Sequence, residues 1–147
     1  MDILAEINGL ELIRGGIAVP AGELLTVTEG DTVRVHMTVD YRGPAVDGAI
    51  WTAIGWTVIF FEEKFAVRLP VHFDASAEFV TYDITCDVPI VNVPWTGMIL
   101  YGDLFDIYAK IMEVPGPDIF TPTYKNIIKI TRVGEFQNFD IVSYEKV

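Results

Sequence analysis

The feature that most restricts this chain is a period-two alternation of apolar and polar residues that returns in segment after segment. Successive side chains of a strand leave on opposite faces, whereas a helix needs apolar residues three and four apart. From Thr32 to Tyr41, Val33, Val35, Met37, Val39 and Tyr41 share one phase, and Thr32, Arg34, His36, Thr38 and Asp40 share the other. Such a segment predicts a strand with one buried and one solvated face. Glu29-Gly30-Asp31 precedes it as a turn, and Arg42-Gly43-Pro44 ends it.

The pattern repeats from Lys64 to Phe73, where Phe65, Val67, Leu69, Val71 and Phe73 alternate with Lys64, Arg68, Pro70 and His72. Pro70 has no N–H for a ladder, so this strand belongs at a sheet edge or carries a bulge there. Between Glu78 and Ile90, Val80, Tyr82, Ile84, Cys86, Val88 and Ile90 are expected inside, opposite Thr81, Asp83, Thr85 and Asp87. Phe105, Ile107, Ala109 and Ile111 form another inward set opposite Asp106, Tyr108 and Lys110. Tyr124 to Val133 reads as a further strand and Asp140 to Tyr144 as a terminal one.

Turns are expected at Gly43 to Gly48, Glu62-Glu63, Asp74 to Ser76 and Val114 to Pro122. Short strands at this spacing predict an all-β fold, an immunoglobulin-like antiparallel β-sandwich of about seven to nine strands. A single domain over residues 1–147 is expected, with 134–147 as a C-terminal appendage strand. A chain of 147 residues buries enough surface to fold without staples, and its one cysteine, Cys86, has no internal disulfide partner.

One segment breaks the alternation. From Ile50 to Phe61 both phases are apolar, with Trp51, Ala53, Ile59 and Phe61 on one and Ile50, Ile54, Trp56, Val58 and Phe60 on the other. Its second face must be covered by a partner or by another part of the chain. Cover from within is the favoured expectation.

The run Glu29-Gly30-Asp31-Thr32-Val33-Arg34-Val35, followed by Val39-Asp40-Tyr41-Arg42-Gly43, resembles the second strand of bacterial immunoglobulin-like adhesion domains, the cell-adhesion-related domain group. Gly102-Asp103-Leu104-Phe105-Asp106-Ile107-Tyr108-Ala109 and Asn126-Ile127-Ile128-Lys129-Ile130 resemble the sixth and seventh strands of that group. The resemblance spans Glu23 to Val133. Secreted members carry a leader and tandem repeats, neither of which is visible here. Domains of this look also stand alone in prokaryotic virus particles, so the resemblance implies a cytoplasmically made component of a virion or surface assembly.

Charge and motifs narrow the function classes. A net charge of -11 repels phosphate backbones, so nucleic acid is not an expected partner. Asp2 and Glu6 stand where a signal peptide carries Lys or Arg. The apolar stretch from Ala49 to Phe61 falls short of the ~20 residues of a membrane span. His36 and His72 lie on different expected strands with no His, Cys or carboxylate at a metal-ligand spacing, so no metal site is expected. No zinc-protease, dithiol, nucleophile-elbow or phosphate-loop string occurs. The carboxylate pairs Glu62-Glu63, Asp83 with Asp87 and Asp103 with Asp106 read as a turn, a solvated strand face and a strand entrance. No catalytic residues and no cofactor are expected.

Two connections hold the candidate binding residues. Between Val91 and Tyr101, large apolar residues sit among turn formers, with Trp95 as a potential anchor. The prolines between Val114 and Pro122 stiffen a loop whose contact groups would be Ile119 and Phe120. The competing reading is that these side chains fold back and plug the ends of the sandwich. The expectation is thus a non-enzymatic structural or protein-interaction module that associates with a protein partner or itself, with Trp51 in an apolar interface. The alternative is a carbohydrate-binding module, in which Trp95 and Tyr101 stack on sugar rings and Asn92 bonds their hydroxyls.

Overall fold

Ten strands and one short helix make up the computed structural model, which describes residues 2–13, 16–20, 22–132 and 137–147. The first sheet holds β1 (Asp2–Leu12), β2 (Ile17–Pro20), β4 (Thr32–Gly43) and β7 (Ser76–Pro89) in the order β2-β1-β4-β7. The second runs β3 (Leu25–Thr28), β10 (Tyr124–Thr131), β8 (Leu104–Met112), β5 (Val46–Thr57), β6 (Phe61–Phe73), with β9 (Ile119–Phe120) also pairing β8. All ladders are antiparallel except β3 with β10, which is parallel. The two sheets close over one apolar core, so the chain is a β-sandwich.

The alternation sets these faces. Val33, Val35, Met37, Val39 and Tyr41 of β4 are buried against Phe105, Ile107, Ala109 and Ile111 of β8 and Ile50 and Ile54 of β5. The turn into β4 is locked by its own carboxylate: Asp31 Oδ2 accepts the Thr28 N–H at 2.8 Å, and Ile90 N–H donates to Asp31 O at 2.8 Å. Pro70 lies on β6, an edge strand, where a missing donor faces no neighbour. Cys86 is buried in the core. Burial raises its thiol pKa, and a weaker influence of the Thr52 hydroxyl opposes this. No hydrogen bond of ordinary geometry satisfies that hydroxyl.

Several expectations need correction. A strand that the sequence reading does not place, β1, lies at the centre of the first sheet. The apolar run after Ile50 is not one strand: β5 stops at Thr57, residues 58–60 form the hairpin tip, and Glu62 and Glu63 lie inside β6 rather than in a turn. Val80 of β7, expected inside, is 42% exposed because β7 is an edge. Asp106, expected outside, is buried: its Oδ2 accepts from Thr57 N and Oγ1 at 3.2 and 2.7 Å, and its Oδ1 accepts from Asn126 N at 2.8 Å. The appendage strand is absent from residues 137–147, which pair with no sheet and are exposed; 134–136 lie outside the described residues.

Candidate interaction surface

The connection between β7 and β8, expected as a loop, contains the helix α1 (Trp95–Tyr101). Seven residues are too few for periodicity to announce a helix, and its boundaries are set locally. Met98 N–H donates to Pro94 O at 2.9 Å, and Gly102, at φ 94, stops the helix while its N–H donates to Met98 O at 2.8 Å. Positive φ at this position favours glycine. Gly97 lets the helix lie directly on the sandwich: a Cβ there would stand 2.7 Å from the Trp56 ring. Trp56, buried at the end of β5, stacks on Phe105 at 4.7 Å and meets Tyr101 at 5.4 Å. The Lys64 ammonium lies 5.6 Å from the Trp56 ring centroid.

Because α1 sits on Trp56, it lies at the same end of the sandwich as the tip that follows β5. The outward sides of these two elements are apolar. Val58, Ile59 and Phe60 on the tip and Trp95, Ile99, Leu100 and Tyr101 on α1 are all exposed, with Ile59 at 85% and Phe60 at 82%. Val91 and Leu104 border them, also exposed. Beside the helix, an open groove of about 540 Å³ is lined by Trp95, Met98, Ile99, Asp103, Lys129 and Arg132 among others. Its charges are paired: Lys129 with Asp103 at 3.9 Å, and Arg132 with Glu29 at 3.8 Å. The Arg132 guanidinium also lies 5.3 Å from the Trp95 ring centroid.

The sequence-predicted residues separate into three places. Trp95 and Tyr101 belong to this apolar end, with exposed Asn92 just before α1 at φ 55. Ile119 and Phe120 form β9, with Ile119 folded back against the core and Phe120 exposed. They line a second groove of about 400 Å³ with Glu6, Thr38, Asp40, Pro122 and Tyr124 among others. Trp51 lies on the outer face of the second sheet, its Nε1–H donating to Glu63 Oε1 at 2.6 Å. Across the strands, Trp51 is level with Lys110, which is level with Phe120. This face is covered from within. Ala49 and Ala53 are buried beneath it, Phe61 meets Tyr108 edge-on at 4.7 Å, and Tyr108 stacks on Phe120 at 6.0 Å.

Sequence reading missed the hairpin tip, because Val58, Ile59 and Phe60 continue an apolar run and only the end of the ladder marks them as a turn. It also missed Tyr124, Glu6 and Asp40 beside Phe120, which meet only through tertiary packing.

Elsewhere, ionisable groups are engaged with one another. Arg68 and Glu113 form a two-bond pair at 2.9 and 2.8 Å, which lowers the Glu113 pKa. His72 bonds Asp47 at 2.7 Å and reaches Asp74 at 3.2 Å, and its pKa is raised, first by the Asp47 bond. Among the described residues, no three His, Cys, Asp or Glu side chains are grouped to hold a metal. No described helix is long and apolar enough to cross a membrane.

No protein-family model matches the chain, and no curated protein is significantly similar to it.

Proposed function

We propose that the chain is a non-enzymatic assembly module that docks on a protein partner through the apolar end formed by α1 and the β5–β6 tip. One observation carries this reading: seven large apolar side chains on two adjoining elements face solvent at one end. Contiguous apolar surface of more than a few hundred Å² is uncommon on chains that remain alone, and aromatic residues are enriched at interface centres. The rim charges are internally paired, which suits contact with a protein rather than with a strongly charged polymer. The strand order, with its parallel β3–β10 pair, supports an immunoglobulin-like sandwich. That fold and the acidic, motif-free sequence are consistent with a component of a virion or surface assembly.

A photo-cross-linking residue placed at Ile99, in the cells that make the protein, tests the reading. It traps a discrete protein adduct that Phe60→Asp with Leu100→Asp abolishes. An adduct formed from Thr85 on the opposite sheet but none from Ile99 overturns it.

Glycan binding is the second reading, and the Phe120 groove favours it more than the α1 end. There an exposed aromatic ring and Tyr124 lie beside Glu6 and Asp40, the combination that stacks on and bonds a sugar. Around Trp95 and Tyr101 the neighbours are Ile99 and Leu100. Loss of glycan-array binding in Phe120→Ala supports this reading, and an array without hits removes it.

A further inference from the structure

Two features far apart in the chain remain without partners, and they fit one another. The first is the seam where β6 and β7 lie at corresponding edges of the two sheets. Among the described residues, β6 pairs only with β5 and β7 only with β4, so each presents one open edge. The seam is also incompletely sealed. Val67, Leu69 and Val71 of β6 and Tyr82 and Ile84 of β7 join the core while only partly buried, and Val80, on the same inward phase of β7, is exposed. The other two edge strands, β2 and β3, have four residues each, and β6 carries Pro70. Strand β7 is the long edge, running fourteen residues with its one proline at the last position. Long open edges are templates for a further strand.

The second feature is residues 137–147. They include Phe139, Ile141, Val142, Tyr144 and Val147, with exposures of 101%, 81%, 97%, 95% and 111%. The run Phe139-Asp140-Ile141-Val142-Ser143-Tyr144 is rich in β-branched and aromatic residues, the composition of a strand, yet it belongs to no sheet. As a strand it would set Phe139 and Ile141 on one face and Asp140, Val142 and Tyr144 on the other.

We propose that residues 139–144 of one copy add to the β7 edge of a second copy, placing Phe139 and Ile141 over the β6–β7 seam. The occupant is a second copy because the same chain holds both the unpaired strand and the unsealed seam, and its own residues 139–144 do not cover its seam. The segment follows β10, on the side of the sandwich opposite β6 and β7. Joining donor to acceptor therefore leaves a free donor and a free acceptor at the two ends. That contact is head-to-tail, and it propagates instead of closing as a symmetric pair. The added strand supplies backbone bonds to β7, and its side chains give the specificity. Each copy carries a charge of -11, so salt that screens their repulsion strengthens the association.

Sedimentation of the full chain tests this through complementation. The unmodified protein grows in mass with concentration. Phe139→Asp with Ile141→Asp removes the donor and gives a monomer. Val80→Lys, at a position already exposed and so compatible with folding, blocks the acceptor and weakens association at least about tenfold. Mixing the two variants restores a one-to-one complex, because the intact donor of the second meets the intact acceptor of the first. Phe60→Asp leaves the association unchanged, which separates this contact from docking at the α1 end. A strictly monomeric unmodified chain overturns the proposal. So does hydrogen-exchange protection of residues 139–144 in a monomer, which would place the strand on its own chain, and so does a mixture that forms no complex.

Discussion

The outer faces of the two sheets obey the same alternation and reach opposite results. On the first sheet, the outward phase is polar and solvated, and its side chains pair across strands: Arg34 with Asp87 at 2.9 Å, Thr81 with Asp40 at 2.6 Å, His36 with Glu11 at 3.0 Å. On the second, the outward phase of β5 is Ala49, Trp51, Ala53 and Gly55, and Ala49 and Ala53 are wholly buried under neighbouring side chains of their own sheet. An aspartate on the outward phase shows the contrast in miniature. Asp87 is half exposed, whereas Asp106 is buried and bonds two backbone N–H groups from different strands, Thr57 of β5 and Asn126 of β10. A solvated face leaves each residue independent, while a covered face makes each depend on its neighbours.

Placing a charge on each face tests that contrast at its largest. Ala53→Asp buries an unpaired carboxylate and is expected to cost about 3–5 kcal/mol, against less than about 1 kcal/mol for Thr85→Asp. Urea midpoints measure both, and similar losses would mean that the second sheet is as open as the first. Removing a charge gives a smaller difference. Asp106→Ala strands the Thr57 and Asn126 N–H groups and is expected to cost about 2–3 kcal/mol, whereas Asp87→Ala leaves the midpoint nearly unchanged, because its pair with Arg34 is in water.

The smallest effect is one of pH. The bond to Asp47 raises the His72 pKa above its ordinary 6.5. The protonated form is therefore favoured by folding, so this contribution is fully present below the unfolded pKa and fades as pH rises through the folded value. Asp47→Asn flattens that slope in urea midpoints taken between about pH 5 and 9. An unchanged slope would assign it to another group.

Much of this architecture was legible in the residues, and the places where reading failed share a cause. Phase alone predicts the buried rows of β4 and β8, because one solvated face leaves a clean pattern of two. It does not end β5 at Thr57, since Val58, Ile59 and Phe60 have the composition of strand and only the geometry of the hairpin turns them outward. Trp95 and Tyr101 stood out as large side chains among turn formers. Their grouping with the tip could not be read, because α1 reaches Trp56 through the space left by Gly97.

What the sequence determined by itself is the strand character and the inward phase of β4 and β8. These are local properties, set by side-chain alternation and composition along a few residues at a time. Tertiary structure alone decided which apolar residues remain uncovered: the end around α1, the seam between β6 and β7, and residues 139–144. Exposure depends on what lies opposite in space: Ile54 in β5 is wholly buried, whereas Val58, four residues on in the hairpin tip, is exposed.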